Sequence, residues 1–286
     1  MGQSVSLVLS SGGARGVAHI GVIEGLLEAG YDIKAISGSS MGAVVGGVYA
    51  AGKLPEFKEW ISNLDKIDVF KLMDFTFSTH GFVRGEKVFN EMKKFVSDCD
   101  IEELNIPLSV IATDITNKKE RVFKSGKLFT ALRASAAIPS VLQPSFINGI
   151  ELVDGGVCNP IPIAHVDRNS NDILVVSDVN ANVPNTMKKQ EPKQLSKFSG
   201  LLEKWNDFFP SEQKPKRLSY FDLITSSVDL MQDRISDLVI ERSRPDIVVR
   251  ISRHTSGTFE FYRSSELIEY GKQEFKLALE NAAKRT

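Results

Sequence analysis

The chain has 286 residues, of which 42 % are apolar and 25 % charged, and a formal net charge of −1. That length accommodates an α/β domain with additional elements, and the near-neutral balance excludes a general attraction to nucleic acid or to an anionic membrane. Two cysteines, Cys99 and Cys158, are too few for a disulfide framework and have no C-x-x-C or His cluster beside them, so no metal is expected.

Val5 to Ser10 reads as a short strand that runs into Ser11-Gly12-Gly13-Ala14-Arg15-Gly16 and then a helix, Val17 to Ala29, stopped by Gly30. A dinucleotide-binding turn would need glycine in place of Ser11 and an acidic partner after a second strand, and neither is evident. The competing use is a turn whose amides converge on an oxyanion. The next unit favours that use. Ile33 to Ile36 is a strand, Gly38-Ser39-Ser40-Met41-Gly42 is a Gly-x-Ser-x-Gly pentapeptide, and Met41 to Ala51 is a helix of small residues, which is the setting of a nucleophile elbow. Ser40 is its candidate nucleophile, and the helix N-terminus behind it favours developing negative charge.

Lys53 to Asp100 is more polar and irregular, read as helices with a covering loop. Phe75, Phe77 and Phe82 flank a turn containing His80 and fit either an acyl pocket or an ordinary core, the second being preferred. Pro107 to Thr113 reads as a buried strand ending at Asp114, Leu128 to Ala136 as a helix closed by Ile138-Pro139, and Ile150 to Val153 as a strand leading into Asp154-Gly155-Gly156. Asp172 to Val179, with Ile173, Leu174, Val175 and Val176 in succession, has the continuous apolar character of a strand buried on both faces. The βαβα order predicts an α/β fold with a mostly parallel central sheet flanked by helices.

Composition shifts at Asn180. Residues 4–180 are expected to form the catalytic α/β domain, and residues 181–286 a mainly helical C-terminal extension packed on it. Within the extension, Leu195 to Phe209 places Phe198, Leu201, Leu202, Trp205, Phe208 and Phe209 at three-and-four spacing, with Lys197 and Lys204 elsewhere. That stripe suits a peripheral membrane contact or a helix packed on its own domain, and the packed helix is preferred. Leu218 to Ile240 reads as a helix, Ile247 to Ile251 as a strand and Ser264 to Arg285 as a final helix. No run reaches the ~18 apolar residues of a membrane span, and no basic-then-apolar leader is present, so a cytoplasmic location with at most peripheral membrane association is expected.

Four features stand in one order: the glycine-rich turn, Gly-x-Ser-x-Gly, Ala134-Ser135-x-x-Ile138-Pro139, and Asp154-Gly155-Gly156. Together they resemble the patatin-like phospholipases, particularly the compact bacterial members, over residues 4 to about 180. The resemblance implies a three-layer α/β/α fold and hydrolysis of lipid acyl esters with no cofactor. It also implies a Ser-Asp dyad of Ser40 and Asp154, with the amides around Gly12, Gly13 and Ala14 as the oxyanion hole. A serine hydroxyl is a poor nucleophile until a positioned base takes its proton, and a carboxylate within hydrogen-bond reach can do so. Ser11 stands where the family has glycine, so the outer edge of the oxyanion loop is expected to be shaped differently.

A catalytic triad would need a histidine late in the chain. His165 and His254 follow Ser40 but sit in no motif, and His19 on the first helix reads as packing or surface, so the dyad is preferred. Asp114 is the rival base, with a turn role preferred for it. Arg15 fits a structural ion pair or a contact with an anionic head group. The alternative function is a regulatory or adaptor protein that uses the same fold for partner binding with little hydrolysis, and a nucleotide-binding protein is a weaker third.

Overall fold

The computed structural model describes residues 2–78, 81–139, 141–187 and 220–284. The Leu195 to Phe209 stripe and His80 lie outside the described residues, as do the side chains of Phe75, Phe77 and Phe82.

Two successive strand–helix units open the chain: β1 (Ser4–Leu9), α1 (Ala18–Glu28), β2 (Asp32–Ser39) and α2 (Met41–Ala50). β1 lies between β2 and β9 (Ile173–Ala181), parallel to both, and every side chain from Val5 to Leu9 is buried. Covering on both faces is why β9 opens on the continuous apolar run Ile173 to Val176 rather than on alternation. On the far side of β9 comes β10 (Ile247–Ser252), again parallel. The sheet is mixed, because β5 (Leu108–Asp114) continues the parallel order beside β2 but takes antiparallel partners on the other side.

The partners of β5 set the geometry of everything that follows. β6 (Lys119–Phe123) occupies one edge of β5 from Val110 to Asp114. β2 and β8 (Ile150–Asp154) therefore share the opposite edge, β2 up to Ile111 and β8 from Ala112 onward. β2 ends at Ser39 opposite Ile111, and the antiparallel β8 ends at Asp154 opposite Ala112. Two strand ends distant in sequence thus meet on neighbouring residues of a third. β7 (Ser145–Ile147) pairs with β8 at the sheet margin. Neither β6 nor β7 was visible in the apolar pattern, since Lys119, Glu120 and Arg121 are exposed and β7 is only three residues long.

Helices cover both faces. α3 (Leu54–Ser62), α4 (Lys66–Leu72) and α5 (Glu86–Met92), with the hairpin of β3 (Phe75–Ser78) and β4 (Gly81–Val83), form the irregular stretch after α2, and α6 (Leu128–Ser135) packs on α2, β5 and β8. α7 (Tyr220–Ser243) lays Val239 and Ile240 against Leu174 and Val176 of β9, and α8 (Ser264–Ala283) covers α1. The two helices α1 and α8 touch at backbone level. A Cβ on Gly21 would fall 1.9 Å from the Ile268 carbonyl oxygen, and one on Gly271 would fall 2.1 Å from that of Ala18. Such proximity seats Phe275 of α8 over Gly25, fully buried, a side-chain burial that contributes about 1.5–3 kcal/mol. Residues after 180 thereby share the sheet and core of those before. No helix among the described residues is long and apolar enough to cross a membrane.

Candidate active site

Ser40 sits at the turn between β2 and α2 with φ 54 and ψ −126, a conformation that side-chain-bearing residues rarely adopt. The turn is this tight because α2 starts directly beneath β1. A Cβ on Gly42 would lie 2.3 Å from the Leu9 carbonyl oxygen, so only glycine permits the approach. The strained turn is held from outside: the Ser40 amide donates to Ser135 Oγ at 2.9 Å, and Ser135 Oγ donates in turn to the Ile111 carbonyl at 2.5 Å. Ser135 belongs to the Ala-Ser-x-x-Ile-Pro end of α6, whose role the sequence alone did not reveal.

The structure brings Ser40 and Asp154 together. Ser40 Oγ donates to Asp154 Oδ2 at 2.5 Å, while Asp154 Oδ1 accepts the Gly156 amide at 2.7 Å. The Asp154 backbone is fixed on two sides, its amide donating to the Ala137 carbonyl at 2.8 Å and its carbonyl accepting Thr113 Oγ1 at 2.9 Å. Both side chains are buried, Ser40 at 4 % and Asp154 at 6 % exposure. Burial pushes the Asp154 carboxyl up from 3.8 to about 6, against the two hydrogen bonds that favour its charged form. A buried carboxylate of that acidity, bonded to a hydroxyl, is equipped to exchange a proton near neutral pH.

The glycine-rich loop crosses the same region. Gly13 and Ser40 border one cavity, and Gly12 caps a 3-10 turn, Gly13–Val17, whose first amides have no acceptor within the turn. The Ala14 amide differs, because it donates to the Thr258 carbonyl at 2.9 Å. That bond engages the Ala14 amide, one of the three expected from the sequence, while Gly12 is buried and Gly13 borders the cavity. Arg15 points away, its Nε donating to Asn180 Oδ1 at 2.9 Å and its NH1 to the Ser256 carbonyl at 3.0 Å. Its role is structural, and it offers no free cation to a head group.

The remaining candidates separate cleanly. Asp114 accepts both the amide and the side-chain amide of Asn117, at 2.8 and 2.9 Å, which lowers its pKa and makes it the turn residue between β5 and β6. His165 turns its ring to Glu120, and His254 lies in the 3-10 turn Arg253–Thr255; neither ring bonds to Ser40 or Asp154. His19 is fully buried rather than at the surface. Its Nε2 meets the Ser10 carbonyl at 2.9 Å and must carry the hydrogen, so Nδ1 accepts from Ser177 Oγ at 2.8 Å. Burial lowers its pKa to about 4, so it is a neutral strut beneath the loop.

Beyond Ser40 lies a cavity of about 130 Å³, lined almost wholly by apolar side chains. Phe57 and Trp60 of α3, Val44 of α2, Phe89 of α5, and Phe259 and Phe261 form much of its wall. Its size is comparable to apolar cavities of ~150 Å³ that take up a benzene ring. These aromatics were not singled out from the sequence as pocket residues. Phe259 and Phe261 arrive from a loop more than two hundred residues after Ser40, which no local pattern reveals. Among the described residues no cluster of His, Cys, Asp and Glu is placed to hold a metal.

Comparison with known proteins bears on this arrangement. The family model of patatin-like phospholipase matches residues 7–167. An uncharacterized NTE family protein of Mycobacterium tuberculosis is 32 % identical, covering 96 % of this chain and 91 % of its own. Lysophospholipase nte1 of Emericella nidulans is 30 % identical over 94 % of this chain, which spans 18 % of that longer protein. The crystal structure of VipD from Legionella pneumophila aligns with a TM-score of 0.51 at 13 % identity, covering 98 % of this chain and 67 % of that one, a likeness of fold.

Proposed function

The chain belongs to the patatin-like phospholipase family, and on that premise we propose that it is a serine hydrolase of lipid acyl esters in which Ser40 is the nucleophile and Asp154 its base. Family membership and the lysophospholipase relatives support lipid hydrolase activity. The observation that carries the finer reading is the 2.5 Å contact from Ser40 Oγ to Asp154 Oδ2 at the polar end of an apolar cavity. The cavity takes the acyl chain and leaves the ester carbonyl beside the hydroxyl.

Ionised Asp154 accepts the hydroxyl proton as Ser40 Oγ bonds to the ester carbon. The carbonyl oxygen gains the negative charge and is met by the Gly12 and Gly13 amides and the N-terminal end of α2. Collapse of the tetrahedral intermediate breaks the ester C–O bond, and Asp154 returns its proton to the departing alcohol. Water, deprotonated by Asp154, then attacks the acyl-serine and releases the fatty acid. No step requires a cofactor.

A fluorophosphonate probe is expected to label the wild-type chain and not Ser40→Ala, and Asp154→Asn is expected to abolish p-nitrophenyl ester hydrolysis while remaining folded. Full turnover by Ser40→Ala sinks the reading. Since Asp154 must be ionised to act, kcat/KM is expected to rise with pH through about 6 and level off above it. For Leu195 to Phe209 the packed helix stays the preferred reading over lipid contact; a blue shift of Trp205 fluorescence on adding vesicles would reverse that preference, and an unchanged spectrum is expected.

A further inference from the structure

The loop from Ser11 to Arg15 is gripped by one side chain at both its ends. Asn180 Nδ2 donates to the Ser11 carbonyl at 2.8 Å, and Asn180 Oδ1 accepts Arg15 Nε at 2.9 Å. Between those two anchors lie Gly12, which is buried, and Gly13, which borders the cavity beside Ser40. A carboxamide suits this task because it presents a donor and an acceptor in one rigid plane. The Ser11 carbonyl only accepts and the Arg15 guanidinium only donates, so a side chain with donors alone or acceptors alone would hold one anchor and release the other, leaving Ser11 with Ser10 Oγ alone or Arg15 with the Ser256 carbonyl alone.

Asn180 is itself held in place. Its amide donates to Asp178 Oδ1 at 3.0 Å, and its carbonyl accepts Arg253 NH2 at 2.9 Å, while Arg253 pairs with Asp233 of α7. Position 180 lies in β9 beyond the 7–167 family match, at the residue where composition shifts. We propose that Asn180 is a positioning residue for the oxyanion loop, its carboxamide fixing the span from Ser11 to Arg15 so that the Gly12 and Gly13 amides stay aimed at the carbonyl oxygen of an ester seated on Ser40. The proposal rests on the hydrolase reading of Ser40 and Asp154.

Misaimed amides weaken an interaction that forms as charge develops, and leave ground-state binding in the apolar cavity untouched. The effect therefore belongs in kcat rather than KM. Outright loss of an oxyanion donor costs about 10²–10³ in kcat, and misplacement without loss is expected to cost about 10–100-fold. The experiment uses the full chain and compares wild type, Asn180→Ala and the isosteric Asn180→Asp on p-nitrophenyl butyrate, with active-site titration to correct for inactive protein. Asn180→Asp keeps the Arg15 contact but sets a carboxylate oxygen against the Ser11 carbonyl, and decides the question if the alanine variant does not fold.

The expected result is a kcat lowered about 10–100-fold in the folded variants with KM within about twofold, and fluorophosphonate labelling slowed by a similar factor. Variants whose kcat per titrated site stays within about twofold of wild type overturn the proposal, as does a loss expressed mainly in KM. A wild-type chain that neither turns over esters nor takes the probe overturns the hydrolase reading and this inference with it. An active wild type with unaffected variants overturns the inference alone.

Discussion

At Asp154, function and stability pull in opposite directions. Its carboxyl titrates at about 6 in the fold against 3.8 as the ordinary value, so the folded chain binds that proton more tightly than the unfolded one. The ionised form is then a liability that is absent below pH 3.8, grows as pH rises toward 6 and is complete above it. A shift of about two pH units corresponds to about 3 kcal/mol as an upper figure. Asp154→Asn keeps an acceptor for the Gly156 amide and offers Ser40 Oγ a donor. It is expected to raise the Tm at pH 8 and to lose most of that advantage at pH 4.5, as checked by thermal melts at both pH values. Equal Tm differences at the two pH values would remove the buried charge as the cause. Ser40 carries a backbone cost as well. A non-glycine residue at φ 54 and ψ −126 stores about 1–3 kcal/mol, so Ser40→Gly is expected to stabilise the chain by about 1 kcal/mol in denaturant unfolding, whereas Ser40→Ala keeps the strain. Both residues announced themselves in short motifs. Ser135 stood in the Ala-Ser-x-x-Ile-Pro motif without a role and Asn180 in no motif, because a Ser or Asn acquires its role only from what it touches, here the Ser40 amide and the two ends of the glycine loop.

Among the elements, the strands and helices built from apolar runs or regular periodicity were legible to within a few residues: β1, β2, β5, β8, β9, β10, α1, α2, α6, α7 and α8. β6 escaped because its Lys119-Glu120-Arg121 start faces solvent, yet it fills the edge of β5 that directs β2 and β8 to the opposite one. The side chains of Phe75, Phe77 and Phe82, weighed as a pocket, lie outside the described residues, and among the described residues the aromatics that line the cavity come from α3, α5 and the segment before α8. Helix α8 tests how the late chain is fastened. On an exposed helix, glycine to alanine gains about 1 kcal/mol of helix propensity. At Gly271 the added carbon would lie 2.1 Å from the Ala18 carbonyl oxygen, and a backbone atom cannot swing aside. Gly271→Ala is therefore expected to destabilise, by about 1–3 kcal/mol as overpacked cores do, read as a lowered Tm. A Tm at or above wild type would show that α1 and α8 can separate cheaply.

The whole molecule assembles the cavity from both ends of the chain. α2 supplies Val44 one turn beyond Ser40, α3 and α5 supply Phe57, Trp60 and Phe89, and the segment Thr258 to Phe261 closes the wall while its Thr258 carbonyl takes the Ala14 amide. Filling the space near the nucleophile discriminates an acyl cavity from an incidental one. Val44→Trp is expected to lower kcat/KM for p-nitrophenyl decanoate relative to butyrate by about tenfold or more, since each methylene that loses apolar contact forfeits about 0.8 kcal/mol. An unchanged chain-length profile would place the acyl group elsewhere.

The sequence by itself determined the strand–turn–helix units, the glycine turn and the Gly-x-Ser-x-Gly elbow around Ser40, whereas Asp154 was singled out only by the family resemblance. These are written in local periodicity and in short motifs, where backbone sterics within a few residues restrict which amino acids fit. Tertiary structure alone decided that β2 and β8 end on adjacent residues of β5 and so bring Ser40 within 2.5 Å of Asp154. It also decided that Ala14 is tied to Thr258 while Asn180 spans the loop. Those pairings join residues from 42 to 244 positions apart, and at such separations it is the packing of the folded chain, not any local preference, that selects the partner.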